Sequence, residues 1–342
     1  MGCVLISSER FQDHITPPGH PECVERGEVM SRVAARWREQ GRAVATPRPV
    51  TDTELARVHD AAYVAAVAET AGRAVQLDAD TYTSPQSYEV ARLAAGAACQ
   101  AVEHALDEKR AACAFVRPPG HHAERNRAMG FCLFNNVAVA AAHSLARGLS
   151  RVAIVDIDVH HGNGTQWMFY DEAQVLYLSV HQFPFYPGTG SAGEVGRGAG
   201  QGTTVNVPLE AGATDADYQR VWADVADPVL EAFRPELLIV SAGFDAHARD
   251  PLAYMRLSAA GFEAVVRALW RRAQADCEGR MALITEGGYD LEALEESLSM
   301  VLRVVSDPAE AAPWVDEGRP APRGDAAVVA ARAALRSYWP TL

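Results

Sequence analysis

VAIVDIDVHHGNG, residues 152–164, is an apolar run that passes straight into Asp156, Asp158, His160, His161 and Asn163. A run without polar alternation reads as a strand buried on both faces, the kind that builds parallel sheets. In such sheets ligands gather at the carboxyl ends of the strands, which is where these donors stand. Asp158 and His160 are two residues apart, so on an extended stretch they point the same way. A carboxylate oxygen and an imidazole nitrogen on one side make half of a metal site. The plain structural alternative, polar residues capping a strand, has to contend with three further clusters described below.

Outward from this segment, β-like runs alternate with helical patterns. CVLIS (3–7), ACAFV (112–116), RVAIVDI (151–157), VLYLSV (175–180), ELLIVSAG (236–243) and MALITEGG (281–288) are predicted strands. Residues 86–106, 134–147, 215–233, 258–276 and 290–304 carry apolar residues at intervals of three and four and are predicted helices. The alternation predicts an α/β fold: a mainly parallel sheet with helices on both faces. The absence of an internal repeat or long linker reads as one domain over residues 1–342. Two Gly- and Pro-rich loops, 14–26 and 182–202, are long enough to be functional. Residues 306–325 are rich in proline and acid and read as a surface wrap before a last short helix.

With 49 % hydrophobic and 22 % charged residues, the composition is that of a soluble globular chain. A net charge of −13 excludes a general nucleic-acid or anionic-membrane binder and leaves room for a cationic substrate. No apolar run reaches the ~20 residues of a membrane span, and the N-terminus lacks a basic leader before a long apolar stretch. The six cysteines are scattered without a CxxC pair and read as small core residues in a reducing cytoplasm.

Arg117-Pro-Pro-Gly-His121-His122 follows the strand ACAFV, Ser241-Ala-Gly-Phe-Asp245 ends another, and Glu286-Gly-Gly-Tyr289 a third. Singly these are a turn, a cap and a glycine pair. Together, four strand ends offer His-His, Asp-His, Asp and Tyr. Asp158, His160 and Asp245 would give a divalent ion three ligands and leave a position for water, as catalytic zinc requires. Such an ion would lower the pKa of that water from ~15.7 towards ~7 and polarise a carbonyl. The imidazole pair would move protons, and a Tyr hydroxyl would stabilise an oxyanion. The chemistry these parts add up to is amide hydrolysis.

With these residues the sequence resembles the histone deacetylase family of zinc-dependent amidohydrolases and its acetylpolyamine amidohydrolase relatives. The resemblance is carried by RPPGHHAERNRAMGFCLFNN (117–136), DIDVHHGNGTQ (156–166), SVHQFPFYPGTG (179–190), NVPL (206–209), SAGFDAHARDPL (241–252) and EGGYD (286–290), with HPECVER (20–26) similar to an N-terminal family loop. It implies the arginase–deacetylase fold, one mainly parallel sheet of about eight strands between helical layers. It implies Asp158, His160 and Asp245 as ligands of one zinc ion, with iron or cobalt able to use the same shell. His121 and His122 correspond to the tandem histidines, the second as general base and then acid, and Asp156 to the carboxylate that orients His121. Asn163 stands where class I members have Asp and class II members Asn. An amide holds an imidazolium less strongly than a carboxylate does, so His122 is expected to be the less basic of the two.

By the same resemblance Tyr289 is the catalytic tyrosine, Phe131 and Tyr186 are the walls of an acyl-lysine tunnel, and Gly130 is part of its floor. Asp156, Asp158, His160, Ser179 and Val180 correspond to a structural potassium site built largely from carbonyls. Relatives that prefer acetylated polyamines can carry Glu where this chain has Leu252, which favours an acyl-lysine in peptide or protein; Glu22 or Asp80 would be substitute acids for a polyamine. Arg26 corresponds to a buried arginine near an acetate exit channel. The expected activity is a protein or peptide deacylase. An acetylpolyamine amidohydrolase, an arginase-type binuclear manganese ureohydrolase and a catalytically silent acyl-lysine binding module stay open as alternatives, as does homo-oligomer formation.

Overall fold

The computed structural model describes residues 2–307 and 318–342. The strands in chain order are β1 (Val4–Ile6), β2 (Val44–Ala45), β3 (Val75–Gln76), β4 (Tyr82–Thr83), β5 (Ala111–Ala114), β6 (Val152–Asp156), β7 (Val175–Gln182), β8 (Thr204–Leu209), β9 (Leu237–Ala242) and β10 (Met281–Thr285). The helices are α1 (Val24–Glu39), α2 (Asp52–Leu55), α3 (Ala61–Ala68), α4 (Ser87–Glu108), α5 (Asn136–Ala146), α6 (Asn163–Phe169), α7 (Asp215–Val221), α8 (Asp227–Phe233), α9 (Ala259–Asp276), α10 (Leu291–Ser306) and α11 (Pro322–Leu335).

Eight strands form one sheet in the order β2-β1-β5-β10-β9-β6-β7-β8, and every pairing in it is parallel. β3 and β4 make a separate antiparallel pair. The apolar runs of β6, β9 and β10 have no exposed face because successive side chains enter different cores. Ala153, Val155, Leu238, Val240 and Leu283 join the core beneath α1, α9, α10 and α11. Val152, Ile154, Leu237, Ile239 and Ile284 join the core beneath α4 and α5. Each such Val, Leu or Ile, fully buried, contributes roughly 1.5–3 kcal/mol of transfer free energy, and this two-sided burial holds the strand ends in place. α4 owes its alanines to close packing. A Cβ on Gly96 would stand 1.9 Å from the carbonyl oxygen of Arg48.

The predicted sheet and its helical layers are both present, with differences that have physical causes. β8 was not among the predicted strands because Asn206 and Pro208 interrupt its apolar pattern; as the outermost strand of the sheet it tolerates a proline. α1 begins inside the segment read as a loop over 14–26, its buried face Val29, Met30, Val33 and Trp37 lying beyond that loop. Residues 215–233 do form a helical path, but a π-helical turn at Trp222–Ala226 separates α7 from α8. Of the expected wrap over 306–325, residues 308–317 lie outside the described residues. The last helix, α11, is longer than expected, and Ala327, Val328, Ala331 and Leu335 tie it into the core.

Candidate active site

The four neighbouring strands β5, β10, β9 and β6 run in one direction, so their carboxyl ends open together. Past β5 come His121 and His122, past β10 Tyr289, past β9 Asp245, and past β6 Asp158 and His160. Asp158, His160 and Asp245 bring one ligand atom each within 4.8 Å of one another. His160 Nδ1 lies 3.1 Å from Asp158 Oδ1 and 3.1 Å from Asp245 Oδ2. The extended spacing expected for Asp158 and His160 is not what aligns them. β6 ends at Asp156, and the His160 amide donates to Asp158 Oδ1 (2.9 Å), which closes a local turn that swings the imidazole onto the carboxylate.

Backbone amides fix the outer carboxylate oxygens: Gly287 N donates to Asp158 Oδ2 and Val159 N to Asp245 Oδ1, both at 2.8 Å. Glycine is required for this approach. A Cβ on Gly243 would lie 2.0 Å from Asp158 Oδ2, and one on Gly287 2.2 Å from Asp245 Oδ2. Both carboxylates are buried. Burial, with the Asp158 charge beside it, pushes Asp245 up to about 7. Two buried carboxylates sharing one imidazole are a donor set that a divalent ion would satisfy, and the oxygen, nitrogen, oxygen composition suits zinc. Among the described residues no fourth His, Cys, Asp or Glu joins the group. A second group, Glu54, Cys99 and His143, is equally close. There, Arg48 pairs with Glu54 at 2.7 Å and Arg57 lies 3.2 Å from His143, so guanidinium groups supply the positive charge.

The tandem histidines differ in their partners. His121 Nδ1 donates to Asp156 Oδ2 (3.1 Å), which also accepts the Tyr177 hydroxyl (3.1 Å). Burial opposes its charge, but Asp158 and Asp156 outweigh it and raise His121 to about 10. His122 Nδ1 donates to the neutral carbonyl of Asn163 (2.8 Å). Burial, His121 and His160 hold it well below the ordinary imidazole value. The two rings are thus driven apart, His121 towards its charged form and His122 towards its neutral one, the order expected from the Asp156 and Asn163 partners. Glu286, buried at the end of β10, accepts the His121 amide (3.1 Å) and so holds the histidine loop against the sheet.

A cavity of about 210 Å³ reaches this group between Asp80, His122, Gly130, Phe131, His160, Phe185, Tyr186, Leu252 and Tyr289. Phe131 has φ +69° and Gly130 φ +56°. A bulky residue in the left-handed region is costly, and here it faces Phe131 towards the Tyr289 ring, 5.8 Å away and nearly perpendicular. A Cβ on Gly130 would meet His122 Cδ2 at 2.4 Å. Tyr186 sets its ring edge-on to His122 at 5.1 Å. Phe185, absent from the sequence reading, stacks on His160 at 5.3 Å. Tyr289 donates its amide to Asp250 Oδ2 (2.7 Å) and lies under the Arg26 guanidinium at 5.0 Å. Burial pushes its hydroxyl well above the ordinary value, so it stays a donor.

Other residues of the sequence reading have structural partners. His161 is satisfied by Thr189 (2.7 Å) and Gln166 (3.0 Å). Asp156 and Ser179 face each other in the β6–β7 register beside Val180. Glu22 is not available as a substitute acid for a polyamine, since it is fully buried and pairs with Arg26 (2.9 Å) and Arg117 (2.6 Å). Asp80 does line the cavity.

Residues 20–305 match the family described as the histone deacetylase domain. The chain belongs to the histone deacetylase family. It is 42 % identical over 275 residues to the histone deacetylase-like amidohydrolase of Pseudomonas aeruginosa, covering 76 % of this chain and 71 % of that one. It is 39 % identical over 364 residues to the polyamine deacetylase HDAC10 of Homo sapiens, covering 100 % of this chain and 53 % of the human protein. The crystal structure of the HDA15 HD domain superposes with a TM-score of 0.91 at 36 % identity, covering 99 % of this chain and 96 % of that one. This histone deacetylase-family chain is thus a hydrolase acting on amide bonds, with the arginase–deacetylase fold. The family is zinc-dependent, and Asp158, His160 and Asp245 form a candidate metal-binding group.

Proposed function

We propose that the protein hydrolyses the amide of N-ε-acyl-lysine in peptides or proteins, releasing a short carboxylate and the free amine. The observation that carries this reading is a cavity of about 210 Å³ lined by the rings of Phe131, Phe185 and Tyr186 together with His122, Tyr289 and His160, the last one of three candidate metal ligands. A zinc ion held by Asp158, His160 and Asp245 would supply Lewis-acid polarisation and a water acidic enough to ionise near neutral pH. Phe131, Phe185 and Tyr186 would grip the methylenes of the lysine stem and exclude bulk water. His122, neutral and free at Nε2, would take the proton from the attacking water. The Tyr289 hydroxyl would donate to the carbonyl oxygen as it gains charge. The His121 imidazolium, steadied by Asp156, would offset that charge, and a protonated ring would deliver the proton to the departing amine. A structural potassium would lie on the carbonyls of Asp156, Asp158, His160, Ser179 and Val180. Six unpaired cysteines fit a reducing cytoplasm, and no described helix is long and apolar enough to cross a membrane.

Hydrolysis of acetylated polyamines is the second reading. It is favoured by the Asp80 carboxylate on the cavity wall and by the polyamine deacetylase among the relatives. Leu252, also on the wall, offers no charge to a distal amine. Turnover of an acetyl-lysine peptide beside N-acetylputrescine, on metal-analysed protein, decides between them. A higher kcat/KM for the peptide is expected; a preference for acetylputrescine would reverse the assignment.

A further inference from the structure

The mechanism uses His122 as a neutral base, and that role depends on which ring nitrogen carries the proton. A neutral imidazole has one donor and one acceptor nitrogen, and the partner of one fixes the other. For His121 the partner is a carboxylate, which only accepts. For His122 it is the Asn163 amide, whose two ends make opposite demands. With the carbonyl towards Nδ1, the ring is Nδ1–H and Nε2 keeps its lone pair. With the NH2 end towards Nδ1, the proton moves to Nε2 and the base is lost.

Glu124 stands on the far side of that amide. Asn163 Nδ2 donates to Glu124 Oε1 at 2.8 Å, with the Met129 sulfur as a weaker acceptor at 3.4 Å. A carboxylate cannot donate, so this contact is lost if the amide turns over. Glu124 is itself well anchored. Its side chain accepts Arg127 Nη2 (2.9 Å), and its backbone amide donates to the Arg127 carbonyl (2.9 Å). Its own carbonyl accepts from Nδ1 of the buried His59 (3.0 Å), whose Nε2 accepts the Asn135 amide (3.0 Å). The side chain is 22 % exposed, and its hydrogen bonds run to Asn163 and Arg127 rather than to Asp158, His160 or Asp245.

We propose that Glu124 is a positioning residue for catalysis: it locks the Asn163 amide with its carbonyl towards His122 and thereby sets the His122 tautomer. The proposal rests on the general-base reading of His122 and adds to it the part of the chain that keeps that base competent. It also gives a reason for an acidic residue two places after the tandem histidines in a chain that carries Asn rather than Asp at 163.

The test compares Glu124→Ala, Asn163→Asp and the double variant in metal-loaded protein. A hydrogen bond to a charged group is worth roughly a tenfold change in an equilibrium constant, and in serine proteases imposing the wrong tautomer costs roughly 10⁴-fold in turnover. Glu124→Ala is expected to lower kcat about tenfold or more with KM changed by less than about twofold. In the Asn163→Asp background, where no amide is left to turn over, removing Glu124 should cost less than about twofold. Nitrogen-15 shifts of labelled histidine report the tautomer without any substrate: Nδ1–H in the parent, with Nε2–H appearing in Glu124→Ala. An unchanged tautomer in Glu124→Ala, or an equal loss of kcat in both backgrounds, would overturn the proposal. Because the tautomer is read without substrate, this outcome is separate from a failure of the acyl-lysine reading.

Discussion

Tyr289 is the residue whose chemistry is most separable from the rest of the site. Its hydroxyl can be removed without touching a metal ligand or the Asp250 bond, which belongs to its backbone amide. Tyr289→Phe should lower turnover by roughly 10²–10³, as for other lost oxyanion donors, with metal content unchanged. A variant as fast as the parent would show that the oxyanion is held elsewhere. At this scale much was legible in the sequence. Asp158, His160, Asp245, both histidines and Tyr289 announce themselves as donors at strand ends, and the structure brings them together. Residues that act through backbone or shape did not show. Gly243 and Gly287 matter because a Cβ would strike Asp158 or Asp245, and a glycine after a strand has many ordinary reasons to be there. Phe185 sits one place before an aromatic already assigned to the wall, so only its stack on His160 reveals its part.

At the scale of elements, the metal group is the product of strand ends that approach to within the space of a hydrogen atom. Gly243→Ala would push its methyl into Asp158 Oδ2, 2.0 Å from the ideal Cβ position. Overpacking of this kind typically costs 1–3 kcal/mol, but here the element that yields is the ligand. The variant is expected to fold, shown by circular dichroism close to the parent's, while retaining well under half its zinc on mass-spectrometric metal analysis. Full zinc retention would mean that the β9–β6 contact is looser than described. The alternation of strands and helices was readable because six of the eight sheet strands are apolar runs. β2 has two residues and β8 carries Asn206 and Pro208, and neither leaves a periodic trace. α1 shows the converse. Its apolar stripe is in the sequence, but the Gly- and Pro-rich loop before it drew the reading to the wrong element.

For the molecule as a whole, a partly buried ion pair bears on its response to acid. Burial works against the charge on Glu54, yet the Arg48 guanidinium and the Thr51 amide outweigh it and bring the carboxyl from an ordinary 4.5 to about 2. A lowered acid contributes stability that is present above its unfolded value and is lost as pH falls through its folded one. Unfolding free energy should therefore decline between about pH 4.5 and 2. Arg48→Gln should flatten that part of the profile, as measured by urea titration at a series of pH values. A variant with the parent's acid slope would exclude this pair as the cause. The sheet and its two cores hold in place one arrangement, the three candidate metal ligands Asp158, His160 and Asp245 beside an aromatic cavity. Anomalous diffraction at the zinc edge from crystals of the zinc-loaded protein tests it directly. One peak per chain, bounded by Asp158, His160 Nδ1 and Asp245 and no fourth protein side chain, is the expected result. A peak at Glu54, Cys99 and His143 instead, or a fourth protein ligand closing the shell, would contradict it.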